Sequence, residues 1–167
     1  MSTVDDFVAL SETLTAFTGF QLRGTGLADG YLTTVTDIVG ADVVAELLAA
    51  YQAAKIDALD ADGILDPDAL ARGIRHRLLG DQKLGPIARN VIKLWYVGLW
   101  FALPQEWTDA YGARPLDTTF APAAAGYPEG LLWKAIGANP PGAKAPGYGS
   151  WAKPPLIDAR YWKGPGS

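Results

Sequence analysis

The chain of 167 residues contains no cysteine and a single histidine, His76. Without cysteine there is no thiolate nucleophile, no disulfide, no iron–sulfur cluster and no covalent c-type haem. With one imidazole and no thiolate, a zinc site would have to be built mostly from carboxylates, which is uncommon chemistry for zinc. Basic charge is also short: 14 Lys and Arg against 18 Asp and Glu give a formal net charge of −4. Nucleic-acid affinity comes mainly from Lys and Arg neutralising phosphates, so nucleic acid is not an expected partner. Anionic lipid is disfavoured by the same argument. Long apolar runs are missing as well. The most apolar stretch, Val91 to Leu103, is interrupted by Lys93 and falls short of the ~20 residues a membrane-spanning helix needs. The opening MSTVDDFVALSETLTAF has neither a basic n-region nor twin arginines. A cytoplasmic location is therefore expected, or a periplasmic one if the chain travels with a signal-bearing partner.

What the chain has is apolar and aromatic material. Hydrophobic residues make up 49% of it and charged residues only 19%, with six Trp and seven Tyr. That is apolar for a free-standing domain of this size. Part of this material is expected to serve a contact surface.

Helical periodicity runs through the first two thirds. Phe7, Leu10, Leu14 and Phe17 recur at three- and four-residue steps behind the acidic first-turn residues Asp5 and Asp6, with Ser2 and Thr3 as candidate caps. A glycine-containing break, Gly19 to Gly26, precedes a second pattern of Leu27, Tyr31, Val35 and Ile38. After Gly40 a third carries Val44, Leu47, Leu48, Tyr51 and Ala58. Asp66-Pro67-Asp68 is a helix start with a capping carboxylate and proline at the first position, and Leu70, Ile74 and Leu78 follow on one face. Gly85-Pro86 opens the next helix, which carries Ile87, Val91, Leu94, Trp95 and Phe101 until Pro104 ends or kinks it. From about Gly112, short apolar pieces alternate with Pro and Gly. Beyond Gly137 the proline and glycine density excludes a helix or a central strand. The expected fold is all-α, a compact bundle of about five to six helices. A helical domain over residues 1–136 is followed by a long irregular Pro/Gly-rich arm over 137–167.

No motif in the chain makes an enzyme of it. Gly24-Thr25-Gly26 with Gly30 has the glycine density of a phosphate loop, but no buried strand precedes it and no βαβ unit follows. Asp60-Ala61-Asp62-Gly63 overlaps the middle of an EF-hand loop, yet its first and twelfth positions are Ala58 and Ala69, so the strongest ligands are missing. His76 sits between Arg75 and Arg77, where neighbouring positive charge opposes a general-base role. Glu106 and Asp109 are three residues apart, a spacing that solvated or capping pairs commonly share. No catalytic, metal-binding or cofactor-binding residue is assigned.

The aromatics point elsewhere. Trp95 and Tyr96 lie in VIKLWYVGLWFALP, followed by Trp100, Phe101 and Trp107. Tyr96 and Trp100, four residues apart, share a face different from that of Leu94 and Trp95, so the helix is aromatic on more than one side: either it is fully buried in the domain's own core or one face is covered by a partner. With Trp133 and, in the arm, Tyr148, Trp151 and Trp162, these are the candidate interface residues.

Three segments carry a family resemblance. FVALSETLTAF, residues 7–17, resembles an opening of the form F-x-x-L-S-x-x-L-T-G. Val91 to Gly98, reading VIKLWYVG, resembles a helix of the form I-x-x-W-Y-x-G that begins at Ile92. The stretch from Gly126 to Pro155 resembles a C-terminal sequence in which an aromatic-flanked segment leads to a Pro-rich stretch, here ending Gly149-Ser150-Trp151-Ala152-Lys153-Pro154-Pro155. In this order they resemble the small subunits of FAD-dependent sugar and alcohol dehydrogenases, the membrane-bound sorbitol, fructose and glucose dehydrogenase small subunits and the relatives of gluconate 2-dehydrogenase subunit 3. The resemblance implies a helical, non-catalytic chain without a cofactor. It would bind and stabilise a glucose-methanol-choline type flavoprotein, which holds the FAD and oxidises a sugar, polyol or related alcohol. An electron-transfer subunit commonly completes such complexes. Many relatives carry a twin-arginine signal, and this sequence shows none, so export would depend on the partner. The competing readings are a stand-alone helical adaptor and an enzyme using acidic residues.

Overall fold

In the computed structural model, residues 3–143 are described. They are helical, with two isolated antiparallel bridges and no extended strand among them. The chain divides into two units, one ending at Leu131 and one beginning at Leu132. The first unit contains α1 (Thr3–Thr15), α2 (Gly19–Gly24), α3 (Ala28–Val39), α4 (Ala41–Asp57), α5 (Pro67–Ile74), α6 (Leu84–Val97), α7 (Gln105–Tyr111) and α8 (Gly126–Glu129). α9 (Leu131–Ala135) begins at its edge. Five of these helices have eight or more residues, in line with the expected bundle.

The bundle centre is made by α1, α3, α4 and α6, each of which packs on the other three. Their buried faces are those the periodicity marks: Phe7 and Leu10; Tyr31, Val35 and Ile38; Val44, Leu47, Leu48 and Tyr51; Ile87, Val91, Leu94 and Trp95. Buried hydroxyls in α1 are satisfied within the helix. Ser11 donates to the Phe7 carbonyl at 2.8 Å and Thr15 to the Ser11 carbonyl at 2.7 Å, so neither carries an unmet desolvation cost.

A local signal sets the start of α5. Asp66 accepts from the Asp68 and Ala69 amides and Pro67 occupies the first turn of α5, as the sequence pattern implies. The continuation of α5 widens into a π-turn, Arg75–Leu79, closed by the Gly80 amide on the Arg75 carbonyl at 2.7 Å. His76 is exposed there.

Two expectations need correcting. The glycine-containing break at Gly19–Gly26 is itself largely helix: Thr18 and Gln21 form a reciprocal capping box that starts α2. The helix through Trp95 does not run on to Pro104. Gly98 takes φ +71° and closes α6 by donating its amide to the Leu94 carbonyl, so Trp100 and Phe101 lie beyond the helix. Pro104 instead precedes the first turn of α7.

Among the described residues no helix is long and apolar enough to cross a membrane. Most of the arm, including Tyr148, Trp151 and Trp162, lies outside the described residues.

Candidate partner interface

The end of α6 is where distant parts of the first unit meet. Tyr96 is half-buried, and its hydroxyl donates to the Thr15 carbonyl at 3.0 Å across 81 residues of sequence. Phe17 meets the same ring edge-on at 6.0 Å. Two residues on, the backbone of Gly98 lies directly against that of Gly126; a Cβ on Gly98 would overlap the Gly126 carbonyl group. A Cβ on Gly130 would come within 2.7 Å of the Tyr96 carbonyl. Glycine is needed at Gly98 twice over, for its left-handed φ and for the absence of a side chain. Residues from 7–17, from 92–98 and from the start of the 126–155 stretch thus converge at one place.

Ala16 has φ +62° and is the only non-glycine residue with positive φ among the described residues. Its amide still donates to the Glu12 carbonyl at 2.9 Å, so it ends α1 in the left-handed conformation usually given to glycine.

Beneath this junction, Trp95 is buried and packs edge-on against Tyr31, with ring centroids 5.0 Å apart. Burial pushes the Tyr31 hydroxyl up to about 12, because the phenolate would lose its hydration. Among the described residues, neither the Tyr31 hydroxyl nor the Trp95 indole N–H has a hydrogen-bond partner.

Trp100, expected at an interface, is a core residue. It is 0% exposed, its indole N–H donates to Asp117 Oδ1 at 2.8 Å, and its backbone pairs with Phe120 through two hydrogen bonds. Its position after the end of α6 turns it inward, and it presents no surface to a partner. Asp117 also accepts from the Leu103 amide at 2.9 Å, while Asn90 brackets the Phe101 backbone as donor and acceptor. Thr119 accepts from the Ala102 amide. Side chains thereby satisfy an irregular backbone that has no helix of its own. Sequence reasoning overlooked Asn90 and Asp117, since nothing local distinguishes them from other polar residues.

Tyr96 retains partial exposure, and Trp133, in the second unit, is half-buried. The large exposed apolar side chains are mostly others. Phe20, on α2, is 89% exposed only three residues after Phe17. Ile56, Leu59, Ile64 and Leu65 lie along the connection between α4 and α5. A groove of about 410 Å³ is lined by Thr34, Ile38, Pro115, Leu116, Phe120 and Pro122, with Leu116 and Phe120 well exposed. The carboxylates considered above serve the local fold. Asp60 folds its own loop by accepting from the Asp62 and Ile64 amides, and Asp109 accepts from Gln105. Among the described residues no three His, Asp or Glu side chains gather where a metal ion could be held.

Comparison with family models, with curated proteins and with solved structures returned no significant match to this chain.

Proposed function

We propose that the chain is the small, non-catalytic subunit of a complex whose other subunit is a glucose-methanol-choline type FAD-dependent dehydrogenase oxidising a sugar, polyol or related alcohol. FAD and the reacting groups belong to that partner, and this chain binds and stabilises it. The reading rests on the sequence resemblance of the three segments. The observation that supports it is their convergence: Thr15 and Phe17 on Tyr96, then Gly98 on Gly126. Both short motifs end at residues in the left-handed conformation, Ala16 and Gly98. The final position of the first pattern is glycine, and in this chain that position has the backbone that suits glycine.

The physical role would be linkage. A subunit that binds only the folded, flavin-loaded partner stabilises that state by about 2.7 kcal/mol when present at 100 times its Kd. The test is co-expression with the product of the neighbouring open reading frame, expected to be a flavoprotein of that type. A yellow complex containing both chains, with the flavoprotein melting higher in the pair than alone, is the expected result. Two results would overturn the reading: the flavoprotein migrating at its own mass in native mass spectrometry, or the purified small chain alone oxidising a sugar with an acceptor dye.

A further inference from the structure

The connection between α4 and α5 carries an unusual combination. From Ile56 to Ala71 there are five aspartates, Asp57, Asp60, Asp62, Asp66 and Asp68, and no basic side chain. Among them stand four exposed aliphatic residues: Ile56 at 65%, Leu59 at 46%, Ile64 at 65% and Leu65 at 40%. α4 does not need these side chains for its own packing, since Val44, Leu47, Leu48, Tyr51 and Ala54 already form its buried face.

The loop that displays them is well tied. Leu59 and Leu65 form an antiparallel bridge. The Asp60 amide donates to the Ile64 carbonyl at 2.9 Å and the Asp66 amide to the Ala58 carbonyl at 2.8 Å. Gly63 turns the chain at φ +75°, and Asp60 Oδ1 accepts from two loop amides. The bridge sets Leu59 and Leu65 side by side, and Ile56 lies one helical turn before Leu59. Arg77 pairs with Asp57, and Arg72 approaches Asp66 at 3.9 Å. Asp60, Asp62 and Asp68 make no ion pair among the described residues.

We infer that this loop is a docking surface for a basic amphipathic helix of another protein chain, one with Leu- or Ile-type residues between lysines and arginines. The aliphatic side chains would be covered by the apolar face, and the unpaired aspartates would meet the basic flanks. Asp60, Asp62 and Asp68 disfavour an anionic partner at the loop itself, while Lys55 and Arg72 bound the acidic stretch on either side.

A titration of the full-length, isotope-labelled chain followed by NMR tests it, using as probes a short Lys/Leu amphipathic helix and a Glu/Leu peptide with the same apolar face. The expected result is that the Lys/Leu peptide shifts the amides of residues 56–65 and that added salt weakens it steeply. The Ile56→Ser/Ile64→Ser variant should bind about tenfold more weakly, a loss of about 1.4 kcal/mol, with an unchanged thermal midpoint because both side chains are exposed. Asp62→Asn/Asp68→Asn should weaken binding and leave the apolar contact in place. Equal binding of the Glu/Leu peptide, shifts centred elsewhere, or unchanged binding by the serine variant would overturn the inference.

Discussion

At the end of α6 and at the α4–α5 connection the chain uses the same ingredients for different ends. Each place has a glycine in the left-handed region, Gly98 at φ +71° and Gly63 at φ +75°. Both have an aspartate that organises irregular backbone. Asp117 takes an indole N–H and an amide from residues 14 to 17 positions away, whereas Asp60 takes amides two and four positions away. Gly98 is pressed against the backbone of Gly126, while nothing lies within 4 Å of where a Cβ on Gly63 would be. The first region is held by groups distant in sequence and buries its aromatics; the second is held by its own neighbours and leaves its aliphatics outside. The difference shows that a similar local recipe yields either a core junction or a display loop, depending on what the rest of the chain brings to it.

Substituting alanine at the two glycines separates these cases most strongly. Each substitution pays the left-handed penalty of roughly 1–2 kcal/mol, but only Gly98→Ala adds an overlap with neighbouring backbone. The expected loss of stability is about 3 kcal/mol or more for Gly98→Ala and about 1 kcal/mol for Gly63→Ala, read from urea denaturation midpoints. Similar losses would mean that the close approach at Gly126 yields easily.

A smaller effect is expected from pH. The folded-state pKa of Tyr31 is raised from 10.0 to about 12 by burial. Between those values the unfolded chain releases a proton that the folded chain keeps, so the stabilisation is fully present below pH 10 and is lost as pH rises toward 12. The contribution is about 2–3 kcal/mol at most, from about 1.4 kcal/mol per pKa unit. Tyr31→Phe should flatten the fall in stability across this window, leaving the part due to Tyr51, which burial also shifts upward. Unfolding measured in parallel at several alkaline pH values checks it; an unchanged slope in the variant would show that Tyr31 ionises freely in the folded chain.

The smallest expected change has the opposite sign. Ala16→Gly relieves a left-handed alanine at the end of α1 and should raise stability by about 1 kcal/mol, or roughly 2–4 °C in Tm for a chain of this size. A decrease would mean that the flexibility added to the unfolded chain outweighs the relief.

The helices were readable because their information is local. The stripes of α3 and α4 and the Asp66-Pro67-Asp68 start depend on residues a turn apart. α2 was also written locally, in Thr18 and Gln21, but its glycines masked the capping box. The end of α6 was harder. Gly98 stands amid a run of good helix-forming aliphatics and aromatics, and periodicity carried through it to Pro104. That single boundary decided the fate of Trp100. Carried forward as helix it would have shared a face with Tyr96; released by Gly98, it turns into the core and pairs with Phe120 and Asp117. Phe20 and the aliphatics of the 56–65 loop could have been suspected from their positions off the buried stripes.

By itself, then, the sequence determined that this chain is helical, acidic and free of cysteine chemistry, and it placed the segments beginning at Phe7, Ile92 and Gly126 in that order. Those properties follow from composition and from patterns within a few residues. Tertiary structure alone decided that the segments meet at Tyr96, Gly98 and Gly126, and which aromatics face inward. Such outcomes depend on contacts between residues 81 and 28 positions apart, where the environment of a side chain is set by backbone that arrives from elsewhere in the chain.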